Sequence, residues 1–206
     1  RPTMTTIVAI QGDGYCLIGA DNRITTADQT GIPTQINTLH PKQSKICSNR
    51  GYLIGIAGDL RAINLLTHTW QPPATPPNLT GKKLDEHITN KTIPTLRHLF
   101  ETHGYTNHTD TTPNKAGHDS ELLLAINNTI YQIDGDYAWF QDTDNHYAIG
   151  TGAPYALATL NTLPPPTNPQ TARQHALKAL TTATKYDPNT GPPYHTSIQQ
   201  TKNRTK

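Results

Sequence analysis

Two uninterrupted apolar runs near the start of the chain constrain its fold more than any other feature. Residues 5–10 read TTIVAI and residues 15–20 read YCLIGA, with a QGDG turn between them. Short β-branched runs joined by a Gly/Asp turn predict a β-hairpin. Because neither run alternates apolar with polar side chains, both strands are expected to be buried on both faces. The chain therefore needs a sheet that is covered on either side.

Further strand-like and helix-like segments follow in blocks. Apolar spacing and turn residues predict strands at 45–48, 52–57, 121–126, 129–134, 136–141, 146–150 and 194–199. Helical spacing predicts helices over 59–69, with Asp59 as N-cap, over 83–103, where Pro94 would kink or divide the helix, from about Thr151 or Pro154, and over 170–185. The connections at 70–82 and 104–118 are Pro-rich or polar and are expected to be surface loops.

The order of these blocks indicates the fold class. Strands, two helices, strands, two helices and a final strand do not suit a parallel doubly wound sheet. They suit an α+β fold, a four-layer α/β/β/α sandwich of two antiparallel sheets with helices on the outer faces. We expect one domain over residues 1–206, with 1–4 as an N-terminal extension or propeptide and 200–206 as a flexible tail.

Composition excludes several classes of protein. A net charge of +2 is too small to indicate a nucleic-acid partner, and ten scattered histidines form no metal-binding motif. Two cysteines, Cys16 and Cys47, cannot build a disulfide framework. No apolar run approaches the roughly 18 residues of a membrane span, and the first residues lack the apolar core of a signal peptide. We expect a cytoplasmic protein without cofactor, metal or membrane partner.

Six short motifs occur in an informative order. They are TTIVAI after Met4, GADNRIT at 19–25, SKI at 44–46, IAGD at 56–59, AIGTGAPYA at 148–156 and DPNTG at 187–191. Together they resemble the landmarks of proteasome β subunits and bacterial HslV, which are N-terminal-nucleophile hydrolases. The resemblance implies a threonine endopeptidase that assembles with identical or homologous subunits into stacked rings and degrades unfolded proteins. An ATP-driven unfoldase is expected as partner by analogy.

The resemblance assigns the nucleophile and its neighbours. Thr5 would attack the peptide carbonyl, with its own α-amine as general base, since an unperturbed α-amine has a pKa of about 8. Asp21 would orient the cationic group beside the nucleophile, and Lys45 would stand next to the threonine hydroxyl. The segment between them is longer than in the family, so we expect a longer surface loop there. Lys42 is the competing candidate for the lysine role.

Other matched residues would support the reaction. Gly58 corresponds to the glycine whose backbone N–H forms the oxyanion hole. Thr151, Asp187 and Thr190 correspond to a serine–aspartate–serine group that supports the nucleophile and its amine, with threonines here in place of both serines.

The resemblance also assigns residues to substrate binding. Arg23 would be a structural arginine, and the backbone of Thr25 would align the substrate strand. Ile56 would form the floor of the first specificity pocket, and Ile24 and Leu60 would help to line it. An apolar floor predicts cleavage after apolar side chains.

The residues before Thr5 bear on activity. As long as RPTM is attached, the Thr5 nitrogen is an amide and cannot act as a base. We expect either that Met4 is the true initiator and is removed, or that residues 1–4 are trimmed.

Three other functions are consistent with parts of the sequence. A non-catalytic ring subunit would keep RPTM as a permanent cap, but it would not need both Asp21 and Lys45. A small-molecule amidase of the wider N-terminal-nucleophile group would more often begin with Cys or Ser. An interaction domain would use the loops at 70–82 and 104–118.

Overall fold

The computed structural model describes residues 5–28, 30, 32–106 and 117–200. The strands are β1 Ile7–Gly12, β2 Tyr15–Asp21, β3 Arg23–Ala27, β4 Pro33–Thr38, β5 Ile46–Asn49, β6 Tyr52–Ala57, β7 Glu121–Ile126, β8 Thr129–Ile133, β9 Trp139–Phe140, β10 His146–Ile149 and β11 Tyr194–Gln200. The helices are α1 Leu60–His68, α2 Gly81–His87, α3 Ile93–Thr102, α4 Ala153–Asn161 and α5 Pro169–Tyr186. A π-helical segment, Ile88–Thr92, connects α2 to α3.

The larger strands form two antiparallel sheets. One has the order β10-β1-β2-β11 and the other the order β5-β6-β7-β8-β9. The predicted hairpin of β1 and β2 is present, with Ile7 opposite Ala20 and Gly12 opposite Tyr15. Every residue of β2 is buried, as its continuous apolar sequence predicts. The structure thus confirms an α+β fold built on antiparallel sheets.

Three apolar cores surround these sheets. One contains side chains of both sheets, including Ile18 and Leu123. At this core the sheets approach so closely that a Cβ at Gly55 would stand 2.6 Å from Ile7 Cγ2. A second core joins the five-stranded sheet to α1–α3, and a third joins the four-stranded sheet to α4 and α5. Each sheet is therefore packed on both faces.

Helix α1 begins where the sequence predicts. The Asp59 side chain accepts a hydrogen bond from the Arg61 N–H at 2.8 Å, which makes it the N-cap. Ala62, Ile63 and Leu66 then face the core. This cap fixes the direction in which the chain leaves β6.

The segment between Asp21 and Lys45 differs from the prediction. Instead of an irregular loop, it contains a separate antiparallel hairpin of β3 and β4, with Thr25 opposite Ile36. The Asp28 carboxylate stabilises the turn, since it accepts from the Ile32 N–H at 3.0 Å. Threonine-rich strands favour extended backbone without showing the apolar alternation that identifies a half-buried strand.

Other boundaries also need correction. Only Trp139–Phe140 of the predicted 136–141 strand pairs, because Tyr137 lies in a turn with φ of 68°. The predicted 83–103 helix is divided, as Pro94 indicated, into α2, the π-helical segment and α3, and Pro94 stands in the first turn of α3. Gln200, expected in the tail, is the last residue of β11 and pairs with Tyr15. Residues 1–4 and 201–206, and 107–116 of the predicted loop, lie outside the described residues.

Two further predictions concern single side chains and the membrane. Cys16 and Cys47 are both free and buried. No helix in the part of the chain that the structure describes is long and apolar enough to cross a membrane.

Candidate active site

Thr5 stands just before β1 and is almost completely buried. Its hydroxyl donates a hydrogen bond to Asp21 Oδ1 and accepts one from Lys45 Nζ. Lys45 Nζ also lies 2.8 Å from Asp21 Oδ1. The structure thus brings together, around one hydroxyl, three residues that the sequence separates by 16 and 24 positions.

Backbone N–H groups from three segments hold the Asp21 carboxylate. Thr6 N–H donates to Oδ1 at 3.0 Å, while Arg23 N–H and Gly191 N–H each donate to Oδ2 at 3.1 Å. Such donors stabilise the ionised form of a carboxylate. These hydrogen bonds therefore hold the Asp21 carboxylate in place at the end of β2, and its position depends on the segment before β11.

Lys45 is the only other charged side chain that contacts Thr5 among the described residues. Its ammonium also donates to the Arg23 carbonyl oxygen at 2.6 Å. Burial lowers the pKa of Lys45, and the nearby Asp21 opposes that shift. Lys42, the competing candidate, is exposed, whereas Lys45 is buried. On the backbone side, Ile56 N–H donates to Lys45 O at 3.0 Å, which ties Lys45 to β6.

A second polar cluster surrounds Asp187. Its Oδ2 accepts hydrogen bonds from Thr151 Oγ1 at 2.8 Å and from Thr190 Oγ1 at 2.6 Å. The Thr190 hydroxyl is in turn hydrogen-bonded to the Thr6 hydroxyl. Because the Thr6 N–H also contacts Asp21, this threonine connects the two acidic residues. The matched threonines therefore occupy one hydrogen-bonded group with Asp187.

Thr6 and Glu121 belong to the site although the sequence analysis did not single them out. Glu121 Oε2 accepts from the Gly150 N–H at 3.0 Å. Gly150 has φ of 89°, and a Cβ there would stand 2.2 Å from the Thr5 carbonyl oxygen. Only glycine combines this conformation with this approach. Thr6 directly follows Thr5, so adjacency was an available signal, whereas nothing in the sequence pairs Glu121 with Gly150.

Gly58 lies at the end of β6, directly before the α1 cap. Its φ of 147° is accessible essentially to glycine alone, and a Cβ there would stand 2.3 Å from Ser120 Oγ. Two residues earlier, Ile56 hydrogen-bonds to Lys45. Lys45 directly precedes β5, and Gly58 directly follows β6. Because these two strands pair antiparallel, both residues lie at the same end of the pair.

The residues expected to support substrate binding differ in how deeply their side chains are buried. Arg23 Nη1 donates to the Pro188 carbonyl oxygen at 2.8 Å, which fastens β3 to the segment before β11. Ile24 and Thr25 on β3 are half-buried. Ile56 is fully buried in the core with α1–α3, whereas Leu60 is 37% exposed. Within the described ranges, no cluster of three or more His, Cys, Asp and Glu side chains could hold a metal ion.

Comparison with solved structures identifies similar folds. BPH from Thiobacillus denitrificans aligns over 95% of this chain and 98% of its own, with a TM-score of 0.72 and 19% sequence identity. The structure of that protein in complex with epoxomicin aligns over the same shares with a TM-score of 0.67 and 16% identity. Eukaryotic HslV from Trypanosoma brucei aligns over 96% of this chain and all of its own, with a TM-score of 0.62 and 19% identity.

Two comparisons based on sequence find no match. No protein-family model matches the chain, and no curated protein matches it significantly. The structural alignments nevertheless span nearly the whole chain. This chain therefore has the proteasome β/HslV-like fold that its motifs predict.

Proposed function

We propose that this chain is a threonine endopeptidase subunit that hydrolyses peptide bonds of unfolded proteins with Thr5 as its N-terminal nucleophile. The observation that carries the proposal is the contact of one buried hydroxyl with both a buried ammonium and a buried carboxylate. A threonine in a purely structural role does not require a charged pair at its oxygen. The fold similarity to BPH and HslV adds support.

Release of the Thr5 nitrogen is the first requirement. Hydrolysis of the Met4–Thr5 bond converts the amide into an amine, whose unperturbed pKa of about 8 suits a general base near neutral pH. The amine takes the proton from Thr5 Oγ1 while that oxygen bonds to the substrate carbonyl carbon. The Lys45 ammonium favours the developing alkoxide and, as a like charge, lowers the pKa of the protonated amine.

The remaining steps follow from the same groups. The substrate carbonyl oxygen becomes an oxyanion, to which the Gly58 N–H donates. The carbon–nitrogen bond of the substrate then breaks, and the proton held by the Thr5 amine passes to the leaving nitrogen. Water hydrolyses the resulting ester with the amine again as base, which releases the carboxylic acid and restores the Thr5 hydroxyl.

Asp187 and its threonines would keep the amine in place. Their hydrogen bonds reach Thr6, the residue whose backbone continues directly from Thr5. The hydroxyls of Thr151 and Thr190 make the contacts to Asp187 that serines would make in the family pattern. Both threonines are thus proposed to orient the nucleophilic end of the chain.

The wider context is part of the same proposal. We place the chain in a single four-layer α/β/β/α domain, in line with its three cores. Homologous or identical subunits would form stacked rings in the cytoplasm, where an ATP-driven unfoldase would deliver substrates. Ile24, Ile56 and Leu60 would line the first specificity pocket, and the Thr25 backbone would align the substrate strand. Cleavage after Leu, Tyr or Phe is then expected to exceed cleavage after Arg.

Peptide hydrolysis by a chain that begins at Thr5 tests the proposal. The chain is released from a cleavable N-terminal fusion, its mass is measured under denaturing conditions, and fluorogenic acyl-peptides are assayed. Thr5→Ala and Lys45→Ala are expected to abolish cleavage, Thr5→Ser to retain part of it, and the exposed-site control Lys42→Ala to keep it all.

Three results would contradict the proposal. A homogeneous, folded chain with free Thr5 that cleaves no peptide would indicate a non-catalytic ring subunit. Hydrolysis of small amides but not of peptides would indicate an amidase. Cleavage that survives Thr5→Ala would place the nucleophile elsewhere.

A further inference from the structure

Gly58 and Asp59 are held from the side by two hydroxyl groups outside the site described above. Tyr105 Oη lies 2.9 Å from Ser120 Oγ, and the Asp59 backbone N–H approaches it closely enough to oppose part of the rise in the Tyr105 pKa that burial causes. Ser120 Oγ occupies the space that a Gly58 Cβ would need, only 2.3 Å from its ideal position. Both hydroxyls therefore contact the two residues that follow β6.

We propose that Tyr105 and Ser120 are positioning residues that hold the Gly58–Asp59 backbone so that the Gly58 N–H is preorganised as an oxyanion donor. This inference rests on the proposed function, because it assigns a role within that reaction. Neither residue needs to touch the substrate. Their effect is on the orientation of one peptide group, which must be fixed before the reaction if it is to lower the barrier.

The backbone at Gly58 has need of such support. Strand β6 ends at Ala57, which pairs with Glu121, and no ladder continues beyond it. Gly58 has a conformation that lacks the restraint of a side chain. On the far side, the N-cap of Asp59 anchors α1 through the Arg61 N–H. The Tyr105 contact to the Asp59 N–H supplies the restraint between these two fixed ends.

The hydroxyl pair is itself rigidly placed. The Tyr105 ring packs edge-on against Phe100, with centroids 5.2 Å apart, and stacks on His118 at 6.5 Å. The Ser120 N–H donates to His118 Nδ1 at 3.2 Å. Burial lowers the pKa of His118 to about 4, so at neutral pH the ring is uncharged and Nδ1 can accept this bond. Tyr105 and Ser120 are thus fixed by the same histidine.

The direction of the hydrogen bonds is consistent with this role. Burial is the main cause that raises the pKa of Tyr105, so the phenol keeps its proton at neutral pH. The Asp59 N–H approaches its oxygen, and its own O–H is available to donate to Ser120 Oγ. A single tyrosine hydroxyl thus links the residue after Gly58 to the side chain beside Gly58.

Tyr137 provides a matched control. Its ring packs on the same histidine, with centroids 4.9 Å apart. Its hydroxyl is buried but has no hydrogen-bond partner among the described residues. Tyr137→Phe and Tyr105→Phe therefore remove the same atom from the same aromatic cluster, and only the second removes a contact to the Gly58–Asp59 backbone.

The experiment compares steady-state kinetics of the free-Thr5 chain and its variants on one fluorogenic peptide. Since loss of a direct oxyanion donor costs about 100-fold or more in kcat, loss of its support is expected to cost roughly 10-fold. Tyr105→Phe and Ser120→Ala should show this fall with KM changed less than about twofold, since ground-state binding is retained. Tyr137→Phe should match the parent. Equal kcat for Tyr105→Phe and Tyr137→Phe would overturn the inference.

Amide hydrogen exchange separates this inference from the proposed function. The Gly58–Asp59 amides should exchange faster in Tyr105→Phe than in Tyr137→Phe, whether or not the chain cleaves peptides. Unchanged exchange would overturn the positioning role even in an active enzyme. A parent chain that cleaves nothing would overturn the catalytic part, and faster exchange in that chain would assign the hydroxyl pair to backbone restraint alone.

Discussion

Replacing Lys45 by methionine should destabilise the folded chain because it leaves the buried Asp21 carboxylate without its ammonium partner. The side chains of lysine and methionine differ little along their stems, so cavity formation contributes little. What is lost is the ammonium, with its hydrogen bonds to Asp21 Oδ1, the Arg23 carbonyl and Thr5. Breaking a buried ion pair by removing one partner costs about 3–5 kcal/mol.

The contacts of Asp21 place the expected loss within that range. Without Lys45, its Oδ1 still accepts from the Thr6 N–H, and its Oδ2 still accepts from the N–H groups of Arg23 and Gly191. With the Thr5 hydroxyl, which also donates to Oδ1, four donors are retained, and they favour the low end, about 3 kcal/mol. With a urea m-value of about 3 kcal/mol/M for a chain at the upper end of the small-protein range, the unfolding midpoint should fall by about 1 M.

A double-mutant cycle with Asp21→Asn isolates the pair. The second variant leaves the buried ammonium without its carboxylate and should also cost several kcal/mol. Removing both charges together avoids leaving either one alone, so the double variant should lose less than the sum of the single losses, with a coupling energy of about 2 kcal/mol. Urea unfolding, followed by the fluorescence of Trp70 and Trp139, measures the free energy of unfolding of the parent, the two single variants and the double variant.

The exposed-site control is Lys42→Met, which should change the free energy of unfolding by less than about 0.5 kcal/mol. Equal losses for Lys45→Met and Lys42→Met would refute the reasoning. So would a coupling energy below about 0.5 kcal/mol, because that would mean that the 2.8 Å contact carries no net interaction.

Two further predictions concern residues around the site. The folded-state pKa of His118 is about 4 against an ordinary 6.5, so its contribution to the free energy of unfolding should be complete above pH 6.5 and fall by about 3 kcal/mol as pH drops to about 4. This dependence on pH should vanish in His118→Asn and persist in the exposed-site control His98→Asn. An unchanged pH dependence in His118→Asn would contradict the prediction. Gly150→Ala should abolish peptide cleavage because its Cβ would collide with the Thr5 carbonyl oxygen. Gly104 also has a left-handed backbone but open space around its Cβ position, so Gly104→Ala should cost only about 1–2 kcal/mol of stability and no activity. Equal activity of the two variants would exclude that collision.

Much of the fold was predictable because its strands are apolar on both faces. The run YCLIGA could only be a central strand, and β2 is buried along its entire length. The α1 helix was predictable for a local reason, since Asp59, two residues after the end of β6, is the N-cap of α1. These signals arise from neighbouring residues and need no knowledge of the tertiary structure.

The β3–β4 hairpin was not predictable from the same signals. Its strands contain threonine, glutamine and asparagine, and they bury no continuous apolar face. Pairing between two polar strands depends on backbone hydrogen bonds and on the Asp28 turn, neither of which alters hydrophobic periodicity. The Pro and Gly residues in the segment pointed instead to a loop.

The site was only partly predictable. Asp21 and Lys45 came from the resemblance to a family, because no spacing rule connects residues so far apart with Thr5. Tyr105 and His118 lie near the two ends of the predicted surface loop 104–118, yet both are buried. Their burial depends on Phe100, which packs against each of them. Such an aromatic cluster is formed by tertiary contacts and leaves no local pattern.

The Gly191 contact to Asp21 has a consequence for synthesis of the chain. This hydrogen bond spans 170 residues, and it forms only when the segment before β11 reaches the end of β2. While the chain is still being translated, Asp21 lacks one of its three backbone donors, and β2 lacks a neighbour on that side. A growing polypeptide on the ribosome therefore cannot complete the hydrogen bonds around Asp21 before this segment has emerged. On the proposed function, peptide hydrolysis by Thr5 would be delayed until the residues up to β11 have emerged, which would protect the nascent chain and its surroundings from premature cleavage.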